Sequence, residues 1–427
     1  ARRTAQIRHA SSAHQLAGED RGMKVRGLPY KNICLPEGFS FAAARAGIKA
    51  SGRPDLALLE ASPGTTAAAL FTKNRVVAAP LEVGRASLAA TRGRVRAVIV
   101  NSGNANCATG KAGRRACQQV CHELARLLEV HANEVFPSST GIIGVPLPVG
   151  KIVLTLPELT AARSATKQGI ADFARAIMTT DTRPKLACAT FRSGKSAVNL
   201  LGVAKGAGMI HPHLATMLVY VFTDIAASPA DLKLLLTNCC QQTFNCISID
   251  GDTSTNDTVL LLASGRSGVR LKDPATRKDF SDALLRVCQS LAEQIVFDGE
   301  GVKHVIHLSV EQARNRKEAG QVAQTVAHSL LVKTAWAGAD PNWGRILAAV
   351  GRSGIALDPA RISIQIGDQI VCRGGMGCAF DQKRAHRALA RPHCEIRIFL
   401  GRGRATIRFL TTDLTAEYVR INADYST

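Results

Sequence analysis

The sequence has few aromatic residues, no long apolar run and fewer acidic than basic side chains. Phe, Trp and Tyr make up 4% of the 427 residues, and 33 acidic residues face 54 basic ones, which leaves a formal charge of +21. No apolar run reaches the roughly 18 residues that a membrane-spanning helix needs. The basic residues are scattered rather than interleaved with aromatics, so the sequence predicts neither a membrane protein nor a nucleic-acid binder.

Metal-binding and disulfide patterns are also missing, although the chain has twelve cysteines and eleven histidines. No C-x-x-C and no H-E-x-x-H occur; Cys117 and Cys121 are one helical turn apart, and Cys239 and Cys240 are adjacent. The sequence therefore predicts free thiols, no metal and a reducing, cytoplasmic location. Two phosphate-loop lookalikes fail, because Ala189 and Ala112 stand where glycine and a hydroxyl residue belong.

Residues 1–30 are predicted to be an N-terminal extension with little order. The first 22 residues are rich in Arg, Ser and Ala and contain no acid before Glu19. This composition resembles a transit peptide, which would place the protein in the mitochondrial matrix instead. An upstream extension of the reading frame is the alternative, because a plausible start follows at Met23.

The most informative stretch is KGAGMIHPHLATMLVYVFTD, which runs from Lys205 to Asp224. It reads as a glycine-rich loop followed by a buried apolar strand, with Thr216 at the junction. Cleavage of the Ala215–Thr216 bond would release an α-amino group beside the Thr216 hydroxyl, and that amine could act as its general base. An ordinary turn before a core strand is the alternative.

Short apolar runs alternate with helical patterns along the rest of the chain, which indicates an α/β or α+β layered fold. The periodicity predicts strands over 95–101, 218–223, 259–263, 362–366, 395–400 and 405–410. It predicts helices over 112–128, 229–240, 281–295 and 321–335. No linker or internal repeat divides the chain after residue 30.

Together with GAGMIHPHLAT from the stretch above, seven further segments make a set of eight in chain order: NSGNANCATG, SSTGIIGVPLP, TTDTRPK, GAGMIHPHLAT, DGDTSTNDT, DGEG, ADPNWGRILAAVG and the final NADYST. From about Pro36 to the last residue, the chain thereby resembles the ornithine acetyltransferase family. The resemblance implies a layered α/β sandwich like that of self-processing aminopeptidases, superficially similar to N-terminal-nucleophile hydrolases. It also implies an α chain of residues 31–215 and a β chain of residues 216–427, assembled as an α2β2 heterotetramer.

The resemblance also implies roles for individual residues. Thr216 matches the nucleophile, and Thr140 with Gly141 matches the oxyanion-hole pair. The residues that match the family's substrate-binding positions are Thr179, Lys205, Thr216, Glu300, Asn422 and Thr427. Thr182 is the alternative to Thr179, because both lie in the TTDT segment. The DGDTSTNDT segment lacks the glutamate that would close a calcium loop, so we interpret it as a turn network that braces the site.

The implied activity is transfer of the acetyl group of N2-acetylornithine to glutamate through an acetyl-threonine, without a cofactor. Acetyl-CoA is a possible second donor, and His213, Leu214 and Ala339, which depart from the common family pattern, leave the donor range open. Two alternatives remain at this stage. One is an aminopeptidase or amidase on the same fold, and the other is a basic binding protein whose Thr216 motif is a relic.

Overall fold

The structure is a computed structural model that describes residues 32–211 and 217–424. Its strands are β1 (Phe39–Ala44), β2 (Leu56–Ala61), β3 (Thr66–Phe71), β4 (Ala97–Asn104), β5 (Val135–Ile142), β6 (Lys185–Ser193), β7 (Ser196–Lys205), β8 (Leu218–Thr223), β9 (Thr258–Ala263), β10 (Val305–Ala313), β11 (Ser363–Ile366), β12 (Gln369–Arg373), β13 (Met376–Gly377), β14 (His393–Phe399) and β15 (Ala405–Thr412).

Its helices are α1 (Ala79–Ala90), α2 (Gly110–Leu128), α3 (Val149–Ala161), α4 (Lys167–Ala176), α5 (Pro229–Cys240), α6 (Pro274–Phe297), α7 (Arg316–Ala327), α8 (Leu330–Ala337), α9 (Trp343–Gly351), α10 (Gln382–Leu389) and α11 (Ala416–Asp424). Across both described ranges, every helix is too short or too polar to cross a bilayer.

Two sheets pack face to face between two layers of helices. One sheet has the strand order β1-β2-β4-β5, and the other has the order β3-β9-β8-β7-β6. Their facing sides share one apolar cluster that includes Phe41, Tyr220 and Phe222. Helices α2 and α3 cover the outer face of the first sheet, and α5 and α6 cover that of the second. This arrangement confirms the predicted layered α/β class.

A third sheet forms the C-terminal part of the structure. Its order is β13-β12-β11-β14-β10-β15, and β10 runs parallel to β14 but antiparallel to β15. Helices α7 and α9 pack on it around the buried Trp336 of α8. Helix α11 follows β15 and brings the C-terminal residues back toward the other two sheets, where Gly301 contacts the backbone of Tyr418.

The segment that contains the predicted cleavage bond connects two neighbouring strands of the five-stranded sheet β3-β9-β8-β7-β6. Strands β7 and β8 are antiparallel, with Lys205 opposite Leu218. Strand β8 then runs parallel to β9. A cut between Ala215 and Thr216 would therefore leave β3, β6 and β7 on one fragment and β8 and β9 on the other, joined by a continuous ladder of backbone hydrogen bonds.

Most of the predicted elements are confirmed, with small shifts at their ends. The predicted strand over 218–223 and the helix over 229–240 match β8 and α5. Helix α6 begins earlier than predicted, because Asp273 caps it by accepting a hydrogen bond from the Thr276 N–H. All twelve cysteines are free thiols, as expected.

The single helix predicted over 321–335 is wrong. The structure has two helices there, α7 and α8, separated at His328 and Ser329. The His328 ring nitrogen Nε2 lies 2.9 Å from the Ser248 hydroxyl, and Ser329 has extended backbone geometry. A tertiary contact therefore accompanies the break, although the apolar periodicity continues across it.

Candidate active site

A cleft of about 620 Å³, including the part open to solvent, lies beside the carboxyl ends of β4, β5 and β7. Seven separate stretches of the chain contribute to its wall, and the lining residues are Ala105, Thr140, Gly141, Ile143, Thr179, Thr180, Lys205, Ala207, Gly208, Met209, Ser254, Thr255, Asn256, Glu300 and Asn422.

Thr140 and Gly141 lie at the end of β5, where it pairs with β4. In this parallel register Thr140 is opposite Ser102 and Gly141 is opposite Gly103. Gly141 has φ +131°, and a Cβ there would lie 2.3 Å from the Gly103 carbonyl carbon. Only glycine therefore allows β4 and β5 to approach so closely. Thr140 thereby lies at the cleft wall.

Lys205 ends β7 and is almost fully buried, with 3% of its surface exposed. Its Nζ donates to the Thr179 hydroxyl at 3.1 Å. Burial lowers the pKa of Lys205, while the nearby carboxylates of Asp181 and Asp257 oppose that shift. An ammonium group at this position can pair with the carboxylate of an amino-acid substrate.

Glu300 lies on the opposite side of the glycine-rich loop. Gly208 lies against the Glu300 carboxylate, because a Cβ built on this glycine would come within 2.4 Å of it. The Asn422 amide of α11 donates to Glu300 Oε2 at 2.9 Å. Glu300 and Lys205 thus bring one acid and one base to the same cleft, a pair suited to an amino acid with both an ammonium and a carboxylate.

The loop that follows Lys205 has an uncommon backbone conformation. Gly206 has φ +150°, and Met209 has φ +57°, a left-handed conformation that few non-glycine residues adopt. Asp250 fixes this turn by accepting hydrogen bonds from the N–H groups of Met209 at 2.5 Å and Ile210 at 3.0 Å. Burial raises the pKa of Asp250 to about 6.

The DGDTSTNDT segment braces the site, which confirms our interpretation of it. The Asn256 amide donates to the carbonyl of Ala105 at 2.7 Å and to that of Ser139 at 2.8 Å. One buried side chain therefore ties the NSGNAN loop to the strand that carries Thr140. The Ser139 hydroxyl adds a 2.6 Å hydrogen bond to Asn101 on the neighbouring strand.

The structure brings together all the predicted site residues that it describes. Thr179 lines the cleft, whereas the Thr182 hydroxyl turns away to Asp298. Ala215, Thr216 and Thr427, as well as the predicted extension 1–30, lie outside the described residues. On the two sides of the undescribed stretch, Lys205 and Met209 line the cleft, and the Met217 N–H donates to Asp257, the residue after cleft-lining Asn256.

Sequence reasoning missed a buried group of charges behind the cleft. Lys185 bridges the carboxylates of Asp181 and Asp298 at 2.5 and 2.6 Å. All three residues belong to quoted segments, TTDTRPK and DGEG. An acid within each segment was visible, but the sequence does not show that a single lysine joins them.

Comparison with known proteins identifies the family of this chain. A family model described as the ArgJ family matches residues 40–427. The chain belongs to the ArgJ family. It is 44% identical over 406 residues to the arginine biosynthesis bifunctional protein ArgJ of Methylococcus capsulatus, covering 94% of this chain and 98% of that one. The ArgJ of Bradyrhizobium diazoefficiens is 42% identical, with 91% and 95% covered.

A crystal structure of ArgJ from Bacillus halodurans is 40% identical and covers 48% of this chain and 98% of that chain, with a TM-score of 0.47. Family membership makes this chain an enzyme, an acetyltransferase of arginine biosynthesis. The predicted resemblance to the ornithine acetyltransferase family is thereby confirmed.

Proposed function

We propose that this enzyme moves the acetyl group of N2-acetylornithine to glutamate through an acetyl ester on Thr216. The observation that carries this proposal is the cleft itself, in which Thr140, Lys205 and Glu300 converge at the segment that leads to Thr216. An acyl transfer needs a nucleophile, an oxyanion donor and groups that hold the substrate. In this proposal Thr140 is the oxyanion donor, and Lys205 and Glu300 hold the substrate.

Maturation comes first in the proposed sequence. The Thr216 hydroxyl attacks the carbonyl of Ala215, the C–N bond breaks, and water hydrolyses the resulting ester. The products are an α chain that ends at Ala215 and a β chain that begins with the free amine of Thr216. That amine then serves as the general base that a threonine hydroxyl lacks.

Acetyl transfer follows in two half-reactions. The Thr216 oxygen attacks the acetyl carbonyl of N2-acetylornithine, Thr140 and the Gly141 N–H stabilise the oxyanion, and ornithine leaves as the protonated amine. The amine of glutamate then attacks the acetyl ester, and the Thr216 oxygen regains its proton. Lys205 binds the α-carboxylate of either amino acid, and Glu300 attracts the ammonium group of ornithine.

The two-step route has a clear kinetic signature. Ornithine must leave before glutamate reacts, so initial rates should give parallel double-reciprocal lines. Incubation with N2-acetylornithine alone should release a burst of ornithine and add one acetyl group to the β chain, seen by intact-protein mass spectrometry. Intersecting lines and an unmodified β chain would contradict the acetyl-threonine and indicate direct transfer.

The same experiment separates the other readings. Steady release of acetate and ornithine without glutamate would identify an amidase with water as the acceptor. An uncut, inactive chain would favour a binding protein. Acetyl-CoA is included as a second donor, because the relatives are named bifunctional; labelling of the β chain by acetyl-CoA would establish that second use.

We also propose that the two fragments stay together as an α2β2 heterotetramer. The antiparallel pairing of β7 with β8 supports the association of α with β, because cleavage leaves that ladder intact. Native mass spectrometry of the mature enzyme would give the stoichiometry directly, and a mass equal to one α and one β chain would contradict the tetramer.

A further inference from the structure

A buried ion cluster lies directly behind the substrate-binding wall. The Lys185 side chain is completely buried, and its Nζ lies 2.5 Å from Asp181 Oδ1 and 2.6 Å from Asp298 Oδ2. The two aspartate side chains are 0% and 2% exposed. An arrangement of two acids and one base costs much desolvation and is poor evidence of stability by itself. Its contacts with the cleft are more informative.

Each aspartate of this cluster fixes a different loop of the cleft. Asp181 accepts from the backbone N–H of Thr179 at 3.0 Å and from that of Gly206 at 2.6 Å. It therefore holds the loop that presents Thr179 and the residue that follows Lys205.

Asp298 fixes the other side. It accepts from the Thr182 N–H at 3.1 Å and from the Thr182 hydroxyl, and it stands two residues before Glu300. The cluster therefore joins the three segments that bring Thr179, Lys205 and Glu300 to the cleft.

The cluster also sets the electrostatics around Lys205. Burial by itself would raise the pKa of Asp181, but the positive charges of Lys185 and Lys205 together outweigh it and hold this pKa well below its usual range. Asp181 is thus an ionised partner shared by two lysines. Lys185 engages it by a direct contact, which leaves the Lys205 ammonium hydrogen-bonded to Thr179 at the cleft wall.

We propose that Lys185, with Asp181 and Asp298, is a positioning residue for substrate binding: it locks the three binding loops together and keeps the Lys205 ammonium directed at the substrate instead of at Asp181. The reaction in which this matters is the proposed acetyl transfer, on which the kinetic part of the inference rests. The proposal predicts weaker substrate binding without Lys185, with little change in the chemical step.

The first test is Lys185→Met in the full chain. Its KM for N2-acetylornithine should rise about tenfold or more while kcat stays within about threefold, the pattern of lost uniform binding. Lys333→Met is the matched control: Lys333 is 2% exposed and bonds Thr412 on β15 instead of the cleft loops. A merely structural role would give the same KM and kcat changes in both variants and would overturn the proposal.

A second readout does not require acetyl transfer. In protein with lysines labelled at 13Cε, NMR follows the Lys205 resonance as the pH is raised. This resonance is assigned as the one that is missing from Lys205→Arg. In Lys185→Met, Lys205 is the only lysine left beside the Asp181 carboxylate. The titration midpoint of the Lys205 ammonium should therefore move to higher pH in Lys185→Met and stay unchanged in Lys333→Met. An unmoved midpoint would overturn the proposal, whereas a shifted midpoint in an enzyme without acetyl transfer would overturn only the proposed function.

Thr182→Val provides a variant that folds even if Lys185→Met does not, because Thr182 is exposed and valine has nearly its shape. It removes the hydroxyl that ties the Thr179 loop to Asp298. We expect a KM increase of about threefold or more at unchanged kcat. An unchanged KM in this variant would contradict the coupling of the loops.

Discussion

Asp257 accepts a hydrogen bond from the backbone N–H of Met217, with 2.9 Å between Oδ1 and the nitrogen. Met217 directly follows Thr216 in the chain, so this bond fixes the downstream side of the proposed cleavage site. Asp257 is 1% exposed, and burial raises the pKa of its carboxyl group. The neighbouring Asn256 donates to the carbonyl of Ser139, which precedes Thr140, so two adjacent side chains hold both segments that the proposed reaction needs.

This relationship predicts that Asp257→Ala slows self-cleavage. Without the carboxylate, the buried N–H of Met217 loses its partner, which costs about 1–3 kcal/mol and loosens the residue next to Thr216. The time course of α- and β-chain formation after synthesis, followed by denaturing electrophoresis, measures the effect.

Asp257→Asn is the matched control, because its amide oxygen can still accept from Met217. It should cleave faster than Asp257→Ala. Cleavage of the alanine variant at the wild-type rate would show that this hydrogen bond does not position the junction.

Thr216→Ala should leave the chain uncut and inactive, because cleavage and acetyl transfer use the same hydroxyl. Thr216→Ser keeps a hydroxyl and should yield both fragments with reduced turnover. In cleaved wild-type protein, N-terminal sequencing of the β chain should begin TMLVY. Normal acetyl transfer by the alanine variant would refute the assignment of the nucleophile.

Thr140→Ala should reduce kcat by ~10²-fold or more while the protein remains folded, as expected when one oxyanion donor is removed. Ser138→Ala is the control, because Ser138 lies two residues earlier on the same strand and does not line the cleft. It should leave kcat unchanged. A raised KM with normal kcat in Thr140→Ala would assign Thr140 to substrate binding instead.

The residues that line the cleft were largely predictable from the sequence, because they lie in the short segments that carry the resemblance to the ornithine acetyltransferase family. Gly141 illustrates why one of these segments needs glycine, because a Cβ there would collide with the backbone of the neighbouring strand. The sequence also predicted the loop before β8, where Gly206 has a positive φ.

The contacts between these segments could not be predicted, because they depend on how distant parts of the chain pack. Lys185 is the last residue of the TTDTRPK segment, and nothing near it in the sequence indicates two buried carboxylate partners. The break between α7 and α8 has the same origin, since it coincides with the contact of His328 with Ser248. Local periodicity carries no information about either contact.

The last prediction concerns His328 and the stability of the protein in acid. Burial, and then the charge of the neighbouring His211, lowers the pKa of His328 to about 3. The two rings are tilted by 31° to each other, with their centroids 4.6 Å apart. In the unfolded chain a histidine has a pKa of about 6.5, so it gains a proton well before folded His328 does.

Neutral His328 contributes its full stabilisation of the folded state above about pH 6.5. This contribution is lost as the pH falls from 6.5 toward 3, because the unfolded state binds more protons than the folded state in that range. Between pH 6.5 and pH 5 this group should reduce the free energy of unfolding by about 2 kcal/mol. Urea denaturation of the wild type and of His328→Gln at both pH values isolates the contribution, since all other groups titrate in both proteins. The variant should lose about 2 kcal/mol less than the wild type over this range; equal losses would show that His328 titrates normally in the folded protein.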